Sequence, residues 1–256
     1  MSWALVTAST RGIGSIAAQA LAEKGYNLIL TSRTPEKHHN LLESMKKHGA
    51  REALLLKLDL TSKESVASFI EEVERLVNGE LKVMIINYGN PTCEPCTLSE
   101  IEWDDWIEAA SMYLASTNEL LKLASRMREK VRVIIISSFT TTELHPHLIL
   151  ADTVRRGLDA LVKAAAYEYP NKVSPVLLLL GSFKTPGALE TIKRIAEEAG
   201  VDPDTFWEKE VEARSPLKRV GREEELKSMI KFLAEAPDYL TGSRILFDGA
   251  SSRSYS

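Results

Sequence analysis

The sequence predicts an α/β fold, a doubly wound parallel sheet in one domain spanning 1–256, on three observations. Short apolar runs alternate with amphipathic stretches along the whole chain. The runs are apolar on both faces, as strands covered by helices on both sides must be. The first run, Trp3-Ala4-Leu5-Val6, stops at a cluster of small residues, and an amphipathic stretch begins directly behind it, which is how a βαβ unit opens.

The elements follow in order. Behind the first strand, Ile16, Ala17, Ala20 and Leu21 keep helical spacing up to Lys24-Gly25. Residues 27–31 read as the second strand and 36–48 as a helix. The third strand is 52–58, and the helix 63–77 takes Ser62 or Thr61 as its cap. Residues 83–86 form the fourth strand, followed by a loop rich in proline and cysteine and a long helical stretch over 99–129. The fifth strand is 131–136, a helix covers 150–169, and the sixth strand is 173–180. Helices over 186–213 and 223–234 precede a last strand at 244–247. No internal repeat or low-complexity linker interrupts the series.

The turn Thr7-Ala8-Ser9-Thr10-Arg11-Gly12-Ile13-Gly14 is built for a phosphate-bearing cofactor. Its glycines let the backbone approach a diphosphate, and the free N–H groups of the first helical turn point at it. Ala8 adds a methyl group there, tolerated at negative φ and strained at positive φ. The net charge of −4 gives no basic field for nucleic acid. The longest apolar runs, such as Val176-Leu177-Leu178-Leu179-Leu180, are strand-sized and too short to span a bilayer. The first core strand begins almost at Met1, leaving no room for a signal peptide, so a cytoplasmic location is expected.

The turn resembles the T-G-x-x-x-G-I-G turn of the short-chain dehydrogenase/reductase family, with Ala8 at its first glycine. Asp59-Leu60-Thr61 matches the family's adenine-contacting segment, and Asn87-Tyr88-Gly89-Asn90 stands at its N-N-A-G motif. Ser137-Ser138 ends the fifth strand as its catalytic serine does. Gly181-Ser182-Phe183-Lys184-Thr185 is similar to P-G-x-x-x-T with Leu180 replacing the proline, and Tyr239-Leu240-Thr241-Gly242 with Phe247-Asp248-Gly249 is similar to the family's ending. The resemblance implies a Rossmann-type sheet of seven strands in the order 3-2-1-4-5-6-7. It also implies hydride transfer between a nicotinamide and a small-molecule carbonyl or alcohol. The cofactor would meet Thr10, Arg11, Gly12, Ile13, Gly14, Ser32, Arg33, Asp59, Leu60, Asn87, Tyr88, Gly89, Arg155 and Thr185.

Charge selects among nicotinamide cofactors. A carboxylate at the end of the second strand would bind the ribose hydroxyls of NAD and repel the 2′-phosphate of NADP. Here the strand ends Thr31-Ser32-Arg33 without one. Arg33 and Arg11 lie where the family places the cations that embrace a 2′-phosphate, which favours NADP(H) over NAD(H).

The catalytic positions depart from the family's Asn–Ser–Tyr–Lys set. Its tyrosine position is Ala151, its lysine position Arg155 and its asparagine position Tyr113, so only Ser138 remains. Alanine donates no proton, and arginine releases none at ordinary pH. Arg155 can still hold ribose hydroxyls and stabilise an oxyanion. Ala151-Asp152-Thr153-Val154-Arg155 resembles the S-N-x-x-R pattern of a divergent β-ketoacyl reductase-like branch, as Gly89-Asn90-Pro91 resembles its G-G-P. Tyr113, Asp152 and His145 are the candidates for the missing acid. Against these stand the ordinary roles of a core or interface tyrosine and an exposed loop histidine.

Cys93-Glu94-Pro95-Cys96 and His145-Pro146-His147 leave neighbouring strands at one edge. They allow a tetrahedral zinc site, a redox pair or two plain thiols. Residues 184–214 read as a helical lid, with Leu189, Ile192, Ile195 and Ala196 on one apolar face. Phe206 and Trp207 open its second helix unless they are simply packed inside. By resemblance, the helices beside the fifth strand pack against a second subunit in a homodimer or homotetramer. Two functions remain open: an NADP(H)-dependent oxidoreductase with a remodelled proton route, or a cofactor-binding sensor or partner subunit without turnover.

Overall fold

Seven parallel strands form one sheet in the computed structural model, which describes residues 2–254. They are β1 (Trp3–Val6), β2 (Asn27–Ser32), β3 (Ala53–Lys57), β4 (Leu81–Ile86), β5 (Val131–Ser138), β6 (Val173–Leu180) and β7 (Ser243–Phe247). Their order is β3-β2-β1-β4-β5-β6-β7, as the resemblance implies. Successive strand residues serve opposite faces, so two cores form. Leu5, Met84, Ile86, Val133 and Ile135 share one core with Phe69 and Val73 of α3 (Lys63–Val77) and Leu158 and Val162 of α7 (Gly157–Glu168). Ala4, Val6, Val83, Ile85 and Ile134 share the other with Ile16 and Leu21 of α1 (Gly12–Glu23), Met45 of α2 (Leu41–Lys47), and Leu226 and Ile230 of α10 (Glu223–Glu235).

Several helical stretches are more broken than their periodicity implies. Residues 99–129 contain α4 (Trp103–Ala110), a π turn at Ser111–Ala115 and α5 (Ser116–Ser125). Residues 150–169 divide at Arg156 into α6 (Ile149–Arg155) and α7. Residues 186–213 divide into α8 (Pro186–Glu198), α9 (Pro203–Phe206) and a π turn at Trp207–Glu212. The last break has a visible cause. Asp202 accepts the Thr205 N–H at 2.9 Å and Pro203 stands at the first position, so a new helix starts there. Among the described residues, no helix is long and apolar enough to cross a membrane.

The strand order reverses at β1, which is flanked by β2 and β4, so the loops part above it and leave a crevice. Side chains tie its rim together. Thr7 Oγ1 donates to the Asn87 carbonyl at 2.6 Å and accepts the Asn87 N–H at 2.8 Å. Ser9 Oγ accepts the Thr31 N–H at 2.9 Å. Asn87 Nδ2 donates to the Ala8 carbonyl at 3.2 Å. Ala8 adopts φ 45°, the strained alternative of the sequence reading. Gly14 packs so closely that a Cβ on it would stand 2.2 Å from the Ala8 oxygen.

Two substitutions test this turn. Ala8→Gly should be neutral to stabilising by about 1 kcal/mol in urea unfolding, because relief of a left-handed alanine (about 1–2 kcal/mol) offsets the entropy of glycine (about 0.5–1 kcal/mol). Gly14→Ala should lower the melting temperature, against the gain of about 1 kcal/mol that alanine normally brings inside a helix.

Candidate active site

The carboxyl ends of β1, β2, β4, β5 and β6 all face this crevice, because the sheet is parallel. At β1, the first turn of α1 has no side-chain cap and no acidic residue, which leaves its N–H groups for an anion. Gly12 sits at φ 56°, and a Cβ there would reach Thr185 at 3.4 Å. Thr185 caps α8 by accepting the Ala188 N–H. Thr10 and Ile13 are partly exposed at the same rim. The Arg11 guanidinium lies 3.9 Å from Glu190, with 67% of its side chain exposed. Arg33 is exposed just past β2, and Ser32 Oγ accepts the Thr34 N–H.

Two of the predicted binding residues are engaged in shaping the loops. Asp59 accepts from both the N–H and the hydroxyl of Thr61, at 3.0 and 2.7 Å, and is followed by the buried Leu60. Asn87 is the staple between β1 and β4 described above. The Tyr88 hydroxyl lies 2.5 Å from Thr117 Oγ1, and Gly89 offers its carbonyl to Tyr113.

The π turn carries Tyr113 fully inside. Its hydroxyl donates to the Gly89 carbonyl at 3.2 Å and accepts from Arg155 Nη2 at 2.8 Å. The guanidinium also lies over the Tyr113 ring, 4.7 Å from its centroid. Burial lifts the Tyr113 phenol to about 12, and burial raises Tyr88 as well. With its proton committed to Gly89, Tyr113 is placed to orient Arg155 rather than to reach a substrate.

Two buried carboxyls join Arg155. Glu94, 6% exposed, accepts the Ala151 N–H at 2.6 Å. Burial raises its carboxyl above the usual range, opposed by Arg155. Asp152, 7% exposed, has Oδ1 2.5 Å from Thr140 Oγ1, while its Oδ2 is buried without a hydrogen-bond partner. Burial pushes Asp152 up to about 6, against the pull of the Thr140 hydrogen bond and the Arg155 charge. Thr140 Oγ1 in turn lies 2.8 Å from Ser138 Oγ. Ser138 is therefore linked to the Arg155 cluster through Thr140 and Asp152.

His145 packs edge-on to Phe139 and stands 3.8 Å from Glu143; burial, then the Arg214 charge, lowers its titration. His147 is 3.9 Å from Glu198. Cys93 and Cys96 are bonded to each other as a disulfide, Cα to Cα 5.8 Å, so the zinc alternative loses its thiolates. Among the described residues, no group of three or more His, Cys, Asp or Glu is placed to hold a metal. The Cys96 N–H donates to the His147 carbonyl at 3.0 Å, which ties the loop to the start of α6. Sequence reasoning passed over Glu94, Thr140 and Arg194. Glu94 lies between two cysteines in a loop, where nothing in the sequence pattern marks it as buried. Arg194 of α8 donates to the carbonyls of Glu94 and Pro95 at 2.9 and 3.4 Å. Trp207 is buried and donates to Glu212, whereas Leu189 is 42% exposed.

Comparison with known proteins agrees with this architecture. The family model described as Enoyl-(Acyl carrier protein) reductase matches residues 7–251. The chain belongs to the short-chain dehydrogenase/reductase family. It is 28% identical to the uncharacterized oxidoreductase YohF of Escherichia coli, covering 96% of this chain and 94% of that one. It is 27% identical to a 3-oxoacyl-(acyl-carrier-protein) reductase of Aquifex aeolicus, covering 96% and 95%. Among solved structures, L-sorbose reductase from Gluconobacter frateurii, complexed with NADPH and L-sorbose, superposes with a TM-score of 0.89. The identity there is 20%, over 99% of this chain and 97% of that chain.

The Asp152 environment makes stability depend on pH in a defined direction. A carboxyl raised from 3.8 to about 6 binds protons more tightly when folded. Its stabilising contribution is complete below pH about 4 and is lost as pH climbs through 6. Urea unfolding of Asp152→Asn against the unaltered protein should therefore shift in favour of the variant by about 2 kcal/mol between pH 4 and 7.

Proposed function

We propose that this chain is an NADP(H)-dependent oxidoreductase that interconverts a small-molecule carbonyl and its alcohol. The observation that carries the reading is the uncapped, glycine-shaped α1 terminus with Arg11 and Arg33 exposed beside it. The fit with a dinucleotide is supported by Gly14, whose missing side chain lets the turn close tightly against Ala8. Backbone N–H groups from Gly12 onward would hold the diphosphate, and Arg11 and Arg33 would clasp the 2′-phosphate. The crystallised L-sorbose reductase, a fold relative, carries NADPH.

The bound cofactor supplies the hydride. This chain's residues orient the carbonyl and manage the proton. Ser138, partly exposed at the end of β5, would hydrogen-bond the substrate oxygen. Arg155, locked by Tyr113, would place a permanent positive charge beside the developing alkoxide. Residues 184–214 would close over the substrate, with α8 fastened to the β4 loop by Arg194 and by Asn90 Nδ2 donating to Thr191 at 3.2 Å. Exposed Trp103 and Ile107 on α4 and Tyr167 on α7 support a homodimer or homotetramer face. A cofactor-binding protein without turnover is the second reading, favoured by Ala151, which offers no proton where the family has a tyrosine.

Titration followed by nicotinamide fluorescence should show tighter binding of NADPH than NADH. Arg33→Ala and Arg11→Ala should each weaken NADPH about tenfold or more and leave NADH nearly unchanged. With a broad panel of carbonyl compounds, NADPH oxidation should be detectable and fall about 10²-fold in Ser138→Ala. Binding of NADPH with no carbonyl reduced would transfer the conclusion to the second reading.

A further inference from the structure

Resting on the oxidoreductase reading, we infer that Ser138, Thr140 and Asp152 form a proton relay that replaces the family's missing tyrosine, with Asp152 as its proton reservoir. The spacing is continuous. Ser138 Oγ lies 2.8 Å from Thr140 Oγ1, which lies 2.5 Å from Asp152 Oδ1. The Thr140 N–H also donates to Ser138 Oγ at 3.2 Å, holding the serine oxygen at the head of the chain. Thr140 is 5% exposed and Asp152 7%, so bulk water does not compete along the link.

A threonine hydroxyl has one proton, so it cannot donate to both neighbours at once. That restriction gives the chain two orientations. When Asp152 is a carboxylate, Thr140 donates to it and Ser138 donates to Thr140, which leaves a serine lone pair facing the substrate. When Asp152 is a carboxylic acid, it donates to Thr140, Thr140 donates to Ser138, and the serine O–H is free for a carbonyl oxygen. Reduction then balances as follows. The carbonyl carbon receives a hydride and its oxygen takes the Ser138 proton, while Ser138 is refilled from Thr140 and Thr140 from Asp152. Asp152 ends as a carboxylate and, once the alcohol has left, is reprotonated back along Thr140 and the partly exposed Ser138 hydroxyl, which takes its proton from solvent. Oxidation of the alcohol runs the same transfers backwards.

The surroundings hold Asp152 where both states are accessible. Facing it are Arg155 on its own helix, Glu94 from the β4 loop, Tyr113 from the π turn and Thr140 after β5. Arg155 is the one cation in this set against two carboxyls. Asp152 Oδ2 is buried without a hydrogen-bond partner, so the hydrogen bond to this carboxyl comes from Thr140 on Oδ1. Asp152 and Thr140 act through Ser138 and touch no substrate.

The test reads titration and turnover separately. In cofactor-free protein carrying 13C-aspartate, assigned by its loss in Asp152→Asn, the Asp152 carboxyl should titrate near 6. Thr140→Val, by removing the hydroxyl that favours the carboxylate, should raise that midpoint, and Thr140→Ser should restore it. In NADPH-dependent reduction of the carbonyl panel, kcat should fall on an alkaline limb near pH 6. Asp152→Asn and Thr140→Val should abolish that limb and lower kcat about 10²-fold, with NADPH affinity unchanged and Thr140→Ser retaining most activity. A midpoint below about 4.5, or one that Thr140→Val leaves in place, overturns the relay whether or not any carbonyl is reduced. So does wild-type turnover that Thr140→Val and Asp152→Asn share at full rate. Absence of NADPH oxidation in the unaltered protein at every pH defeats the oxidoreductase reading and with it a catalytic use of the relay, while the midpoint shift still reports whether the chain is connected.

Discussion

A single guanidinium in a pocket with two carboxyls and two phenols governs this site. Arg155 keeps its charge at every accessible pH, so the pocket always contains one positive charge. It cannot match both Glu94 and Asp152, and burial raises both carboxyls above their ordinary range. The planar group also fixes geometry. One nitrogen holds the Tyr113 hydroxyl while the plane lies over the same ring, a double contact that an ammonium does not reproduce. Through it the π turn, the β4 loop and α6 are aligned on one another. A lysine there would be shorter, rounder and open to losing its proton.

The fold was legible because its signals are local and repeated. Strands apolar on both faces announce a covered parallel sheet, and the turn after β1 fixes where its crevice opens. Ser138 and Arg155 were legible as positions at the end of β5 and along α6. Their link was not, because hydrogen bonds between residues 138, 140 and 152 follow from how the turn Phe139–Thr142 folds back, which periodicity does not encode. Tyr113 was placed on the right helix, but its inward orientation depends on the π turn, and α-helical spacing misassigns one residue there. Glu94 was invisible for a different reason. A carboxylate flanked by two cysteines and a proline looks like loop filler until tertiary structure brings the α6 terminus to it.

The same loop joins the cluster to α8. Cys93 and Cys96 bracket Glu94, Arg194 grips the carbonyls of Glu94 and Pro95, and the Cys96 N–H is bonded to the carbonyl of His147. Helix α8 therefore rests on the backbone whose side chain meets Ala151. The link from α8 to the buried carboxyl runs through hydrogen bonds to the backbone of that same residue and its neighbour.

Energetics weigh on what such a cluster is for. Replacing a buried ion set with apolar side chains of similar volume is often neutral or stabilising by about 1–4 kcal/mol, so scaffolding alone gives little reason to keep charges inside. Here the cost includes an unpartnered Asp152 oxygen and a carboxyl whose titration burial raises to about 6. A protein that only bound a cofactor would be served by the α1 terminus and the exposed arginines, and would have no use for a titrating carboxyl at 152. A reductase has a use for the expensive arrangement, because a group that changes protonation near neutrality is what proton transfer to an alkoxide requires. On the oxidoreductase reading, the alanine at 151 is thus less telling than the acid beside it, which is hydrogen-bonded through Thr140 toward Ser138.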